Sequence, residues 1–215
     1  MAELSKAYQY LLDHQAEFWQ NVGTHLQLSL AALALALIVC VPLGVLAAKR
    51  QRVAQPIINV ANALRVVPSL AILFLALPYL GLGFKPSLVA LTVLACPPIL
   101  INTYAGFRAI DRAVIETAHG MGMAKAQVLR LVEFPLALPV LLVGIRIATV
   151  EVIASASLAA FIAGDGLGNF IQVGFAVRRP DIMLVGTVPI AVLALLADAL
   201  LAGLQRAATP PHRTR

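Results

Sequence analysis

Charge is what this chain has least of: Asp, Glu, Lys and Arg make up 12% of its 215 residues, where ordinary soluble domains carry about 25%. With 60% hydrophobic residues and a mean hydropathy of +0.90, a water-soluble globular fold is excluded. There are two cysteines, Cys40 and Cys96. Each falls within an apolar run, which speaks against a disulfide scaffold and for small packing residues. His14, His25, His119 and His212 lie too far apart to point to a metal site. No G-x-S-x-G, H-E-x-x-H or Walker G-x-x-x-x-G-K-[ST] string occurs, and the glycines at 120, 122 and 164 to 168 complete no dinucleotide fingerprint. Nothing therefore supports an enzyme reading, and the chain is expected to bind no cofactor of its own. The formal charge of +6 comes from basic residues scattered at the ends of apolar runs. Membrane topology explains that distribution better than nucleic acid does.

What the chain has in abundance is apolar length. Nearly charge-free runs cover Leu26 to Ala48, Pro56 to Leu80, Pro86 to Phe107, Pro135 to Ala163 and Ile182 to Leu204. Each is long enough to cross a hydrocarbon core as helix, which takes about 20 residues. The expected fold is all-α, a polytopic membrane bundle of five transmembrane helices occupying residues 23–206. Prolines 42, 68, 78, 97, 98, 139 and 189 are tolerable inside such helices and should produce kinks. No basic n-region precedes the first run, so that run is expected to stay in the protein. Residues 1–22 place Leu4, Tyr8, Leu11, Leu12, Phe18, Trp19 and Val22 at helical spacing. They predict an amphipathic helix on the outer surface, packed across the ends of the bundle. Residues 207–215 lack apolar periodicity and are expected to form a disordered tail.

Lys and Arg favour cytoplasmic loops. Ten of them, including Lys49, Arg50, Arg52, Arg108, Arg112, Lys125, Arg130 and Arg206, fall on one side of the five runs, and four (Lys6, Lys85, Arg178 and Arg179) on the other. The N-terminus is then outside and the C-terminus cytoplasmic. The connector at about 108–134 is cytoplasmic too. It is polar with helix-like spacing, and Ile115, Ala118, Met121, Val128, Leu131 and Val132 form much of one face. Gly120 and Gly122 interrupt it, which predicts a turn between two short helices.

Within that connector, Glu116-Thr117-Ala118, then Gly122, then Val132-Glu133-Phe134-Pro135 resembles the EAA loop of binding-protein-dependent ABC importer permeases. In that pattern EAA is followed by three residues, G, nine residues and I-x-L-P. Thr117, Val132 and Phe134 depart from it while preserving size or apolarity. The resemblance extends from His25 to about Phe175. VVPSLAILFLALPYLGLG, Asn102-Thr103-Tyr104 and Gly144-Ile145-Arg146 look most like the permeases of osmoprotectant importers for glycine betaine, choline or carnitine. Methionine or other amino-acid importer permeases share the loop and the five helices and remain the alternative; outside this class stands an ATPase-independent channel or membrane anchor.

The resemblance implies a type I ABC importer permease in a bacterial inner membrane. Its connector would be a coupling helix in which Glu116, Thr117, Ala118, Gly120, Gly122 and Pro135 act on a cytoplasmic ATPase dimer. It further implies ATP and Mg on that ATPase, an extracytoplasmic substrate-binding protein, and a second permease subunit, identical or paralogous. Nucleic acid is not an expected partner.

Charged groups inside spans are costly and face a pathway or a partner. Arg65, Arg146, Glu151 and Asp198 are in this position. Arg146 and Glu151 are five residues apart, about 140° around a helix, so each needs a partner on another helix. Arg65 with Glu151 is one possible pair, and Asn102, Tyr104 and Ser155 are candidates beside it. A structural lock and a lining of the translocation path are both open. Quaternary ammonium groups favour aromatic faces, but no cage can be read from the spacing of the available Tyr and Phe residues.

Overall fold

The computed structural model describes residues 2–209. Ten α-helices follow in order: α1 Ala2–Asp13, α2 Gln15–Lys49, α3 Gln51–Val66, α4 Ser69–Leu80, α5 Phe84–Arg108, α6 Arg112–Gly120, α7 Lys125–Val128, α8 Phe134–Ser155, α9 Gly168–Ala176 and α10 Pro180–Ala208. A π-helical turn, Leu129–Glu133, joins α7 to α8, and a 3-10 segment, Ala156–Ile162, prolongs α8. The spans at α2, α5, α8 with its flanking turns, and α10 are each long and apolar enough to cross a bilayer.

The second apolar run does not form a single kinked span. α3 and α4 meet at 96°. Pro68 is the cause: it lacks an N–H and disfavours helical geometry in the residue before it, and Val67 is extended at φ −73°, ψ 122°. Prolines 42, 78, 97, 98, 139 and 189 lie inside helices that continue past them. The pair α3 and α4 brings the number of potential crossings to five.

Small side chains set the packing. Leu28, Ala32, Ala36 and Cys40 recur every fourth residue along α2 and are buried against Leu91, Ala95 and Ile99 of α5 and Ala148, Val152 and Ala156 of α8. Small residues let helix backbones approach closely where lipid supplies no hydrophobic drive to association. Gly144 shows how close: a Cβ there would stand 2.5 Å from the Pro98 carbonyl oxygen and 2.7 Å from Cβ of Asn102. α5 is thus held between α2 and α8.

The N-terminal segment is two helices rather than the expected one over residues 1–22. α1 ends at Asp13, and α2 starts at Gln15 and runs on through the first apolar run. Ala7 and Phe18 are buried with Phe170 of α9 and Ile182 and Val185 of α10, and Tyr10 and Leu11 pack beside them. Part of the apolar face is used across one end of the bundle, while Leu4, Tyr8, Leu12 and Trp19 remain exposed. At the C-terminus α10 extends to Ala208, two residues past the expected boundary. Residues 210–215 of the expected tail lie outside the described residues.

Candidate functional site

The connector is built from local signals. Asp111 caps α6, its carboxylate accepting a hydrogen bond from Ala113 N at 2.9 Å, which satisfies one of the unpaired donors at a helix start. At the other end of α6, Gly122 N donates to His119 O (2.9 Å) and Met123 N to Ala118 O (3.2 Å). These crossed bonds are a Schellman cap, which needs a left-handed residue just past the helix. Gly122 supplies it at φ +85°. Gly120, by contrast, is the last residue of α6, and a Cβ there would meet nothing within 4 Å. The turn is therefore made by Gly122 and not by both glycines.

The apolar face of the connector is divided. Ala118 and Val128 are buried, whereas Met121 is 70% and Leu131 64% exposed. Glu116 and Thr117 are exposed on α6, with Thr117 Oγ1 donating to Ala113 O at 2.7 Å. Pro135 is the second residue of α8, directly after the π-helical turn Leu129–Glu133, so its missing N–H falls where the helix changes its bonding pattern. Below α6 lies a cleft of about 560 Å³ whose lining includes Lys49, Gln51, Arg108, Arg112, Glu116 and Glu133. The basic residues assigned to one side of the membrane thus gather at one end of the bundle.

Across this cleft, the Lys49 ammonium donates to both oxygens of Glu133. Glu133 is 2% and Lys49 45% exposed, so a nearly buried carboxylate is held by a cation that still reaches water. This pair ties the π-helical turn to the end of α2, and reasoning from the sequence missed it. The available signal was Glu133 at the polar-to-apolar boundary and Lys49 at the end of the first apolar run.

Inside the bundle, Arg146 of α8 pairs with Asp198 of α10. The guanidinium donates through Nε to Oδ1 and through Nη2 to Oδ2, the second at 2.7 Å. The possible Arg65–Glu151 ion pair does not form: Arg65 is exposed at the end of α3, and none of its nitrogens lies within 4.0 Å of the Glu151 carboxylate. Asn102 donates to the Pro98 carbonyl of its own helix at 2.8 Å and packs on Gly144, so it belongs to the α5–α8 contact. Tyr104 and Ser155 are half-buried. The six intramembrane candidates are therefore not brought into one network. α3 carries Gln55, Asn59, Asn62 and Arg65, all exposed, with Gln55 donating to Asn59 at 2.8 Å. Amides and a guanidinium on this half of the broken span would have no partner in lipid.

At the opposite end, the glycine-rich loop 164–168 is clasped by α2. Asn21 Oδ1 accepts from Gly166 N at 3.0 Å, and the buried His25 Nε2 donates to Ile153 O at 3.0 Å. Neither residue was among the expected site residues. Their four-residue spacing at the head of the first span was the signal.

Residues 40–209 match the profile of the family described as "Binding-protein-dependent transport system inner membrane component". The choline transport system permease protein OpuBB of Bacillus subtilis is 41% identical over 207 residues, covering 96% of this chain and 95% of that protein. The carnitine transport permease protein OpuCB of Listeria monocytogenes is 43% identical over 192 residues, covering 89% and 86%. Among solved structures, an inward-facing conformation of the MetNI methionine ABC transporter superposes with a TM-score of 0.82 at 21% identity, covering 92% of this chain and 99% of that one. This last likeness bears on the fold alone.

Proposed function

Since the chain belongs to the binding-protein-dependent transport system inner membrane component family, we propose that it is the permease subunit of an ATP-driven importer for quaternary-amine osmoprotectants such as choline, glycine betaine or carnitine. One observation carries the substrate class: relatives named for choline and for carnitine transport match at 41% and 43% identity over nearly the whole chain. In this reading the end bearing Lys49, Arg108 and Arg112 is cytoplasmic, following the bias of Lys and Arg toward that side. The N-terminus and the loop at 164–168 then face outward, toward a substrate-binding protein.

The connector would be the coupling element. Glu116 and Thr117 are exposed on α6, Met121 and Leu131 offer unpartnered apolar side chains, and Gly122 fixes the turn. ATP and Mg would be held by a partner ATPase dimer, whose closure is felt through these residues, through Pro135 at the head of α8 and through the Lys49–Glu133 pair behind them. A second permease subunit would complete the path, with the polar stripe of α3 facing it. Binding of nucleotide and of substrate-loaded partner protein then bias the same inward-to-outward equilibrium, with a coupling that is reciprocal.

The test is uptake. Proteoliposomes containing this chain with its ATPase and binding protein should accumulate labelled choline, glycine betaine or carnitine only when ATP is inside with the ATPase. Accumulation of methionine alone would transfer the chain to the amino-acid class. Uptake that persists without the ATPase would make it a channel.

A further inference from the structure

Glu151 is the one charged residue among the lining of its cavity that has no opposite charge in contact with it. Arg146 and Asp198 neutralise each other in a two-point contact between α8 and α10. Glu151, five residues further along α8, lines the same cavity of about 360 Å³ together with that pair, and Val143, Ile147 and Val150 complete the wall. No Lys, Arg or His nitrogen lies within 4.0 Å of the Glu151 carboxylate among the described residues. One carboxylate of the wall is thus left with no cation in contact, a costly arrangement within a spanning helix.

The chemistry of the wall selects among cations. A calcium or magnesium ion needs six or more oxygen ligands, and the wall offers two carboxylates, one already occupied by Arg146. A primary ammonium needs several hydrogen-bond acceptors in the same way. A quaternary ammonium has no N–H to satisfy; it asks for an opposite charge and apolar contact for its methyl shell. One free carboxylate beside Val143, Ile147 and Val150 meets that requirement, and the volume is within the range of small-molecule sites, about 300–1,000 Å³. We propose that this cavity is a station for the cationic head of the substrate on its way through the membrane, with Glu151 as the counter-charge and the Arg146–Asp198 pair as the structural lock that holds its wall. The assignment rests on the importer reading above.

A charge at this position discriminates between substrates. Choline carries only the cation, while glycine betaine also carries a carboxylate that Glu151 repels. The experiment measures maximal uptake rates of both compounds in proteoliposomes at saturating binding protein, so that the affinity of the binding protein drops out. Glu151→Gln is expected to lower the choline-to-betaine rate ratio about tenfold, and Glu151→Asp to keep it near the wild-type value. Glu151→Met, apolar and compatible with a membrane helix, reads the same ratio should the Gln variant fail to assemble. An unchanged ratio in the neutral variants, or an equal change in Glu151→Asp, overturns the proposal while leaving the importer reading in place. Absence of ATP-dependent uptake of both compounds by the wild-type complex removes the importer reading and this site with it.

Discussion

Replacing Gly122 with valine separates a role in backbone geometry from a role in contact. A Cβ built at Gly122 meets nothing within 4 Å, so the first side-chain atom creates no clash and the cost worked out here is conformational. The residue is left-handed at φ +85° and sits at the position of the Schellman cap where Gly122 N and Met123 N close back on His119 O and Ala118 O. An L-residue in that region costs about 1–2 kcal/mol, a factor of roughly 5 to 30 in the ratio of capped to uncapped turn. The turn lies outside the apolar spans. Gly122→Val should therefore insert and assemble normally while substrate-stimulated ATP hydrolysis and uptake fall at least about fivefold. Gly122→Asn, which tolerates the left-handed region, should lose much less. Gly120→Ala is the control, because Gly120 is helical and unobstructed; it should be silent or slightly stabilising, by about 1 kcal/mol at most. Full coupling in Gly122→Val, or damage from Gly120→Ala equal to it, would refute the cap as the operative feature.

Lys49→Met leaves the 2%-exposed Glu133 carboxylate unpaired; breaking such a pair costs about 3–5 kcal/mol when both charges are buried. Since Lys49 is itself about half in water, the expected loss falls below that range, about 1–3 kcal/mol, and the double variant Lys49→Met/Glu133→Leu should recover most of it in equilibrium unfolding in detergent micelles. Gly144→Ala forces α5 and α8 apart at Pro98 and Asn102 and should cost about 1–3 kcal/mol as overpacking does; wild-type stability in the same measurement would contradict the close approach.

The spans were legible because apolar length is a one-dimensional property: α2, α5, α8 and α10 lie within the expected runs or extend them at either end. The 96° turn at Pro68 was not, because Pro42, Pro98 and Pro189 look the same in sequence and are carried within continuous helices. Whether a proline bends or breaks a helix depends on how neighbours satisfy the freed carbonyls. The turn of the connector was legible, since capping is local and Gly122 acts within a few residues of itself, but that Gly120 stays helical and that Asp111 caps α6 were not read. Pairings across the bundle were not. Arg146 needed a partner on another helix, but that it is Asp198, 52 residues away, follows from how α8 faces α10. Lys49 with Glu133 and Asn21 with Gly166 are likewise products of tertiary packing.

The most direct test of the coupling role is a cross-link from the tip of the connector. Met121 is the exposed apolar residue immediately before the Gly122 turn. In a variant cleared of Cys40 and Cys96, Met121→Cys carrying a short photoreactive group should cross-link to the partner ATPase in the assembled complex, with a yield that changes when ATP is bound. Cross-linking to lipid or to this chain alone, with no ATPase adduct in any nucleotide state, would contradict the account.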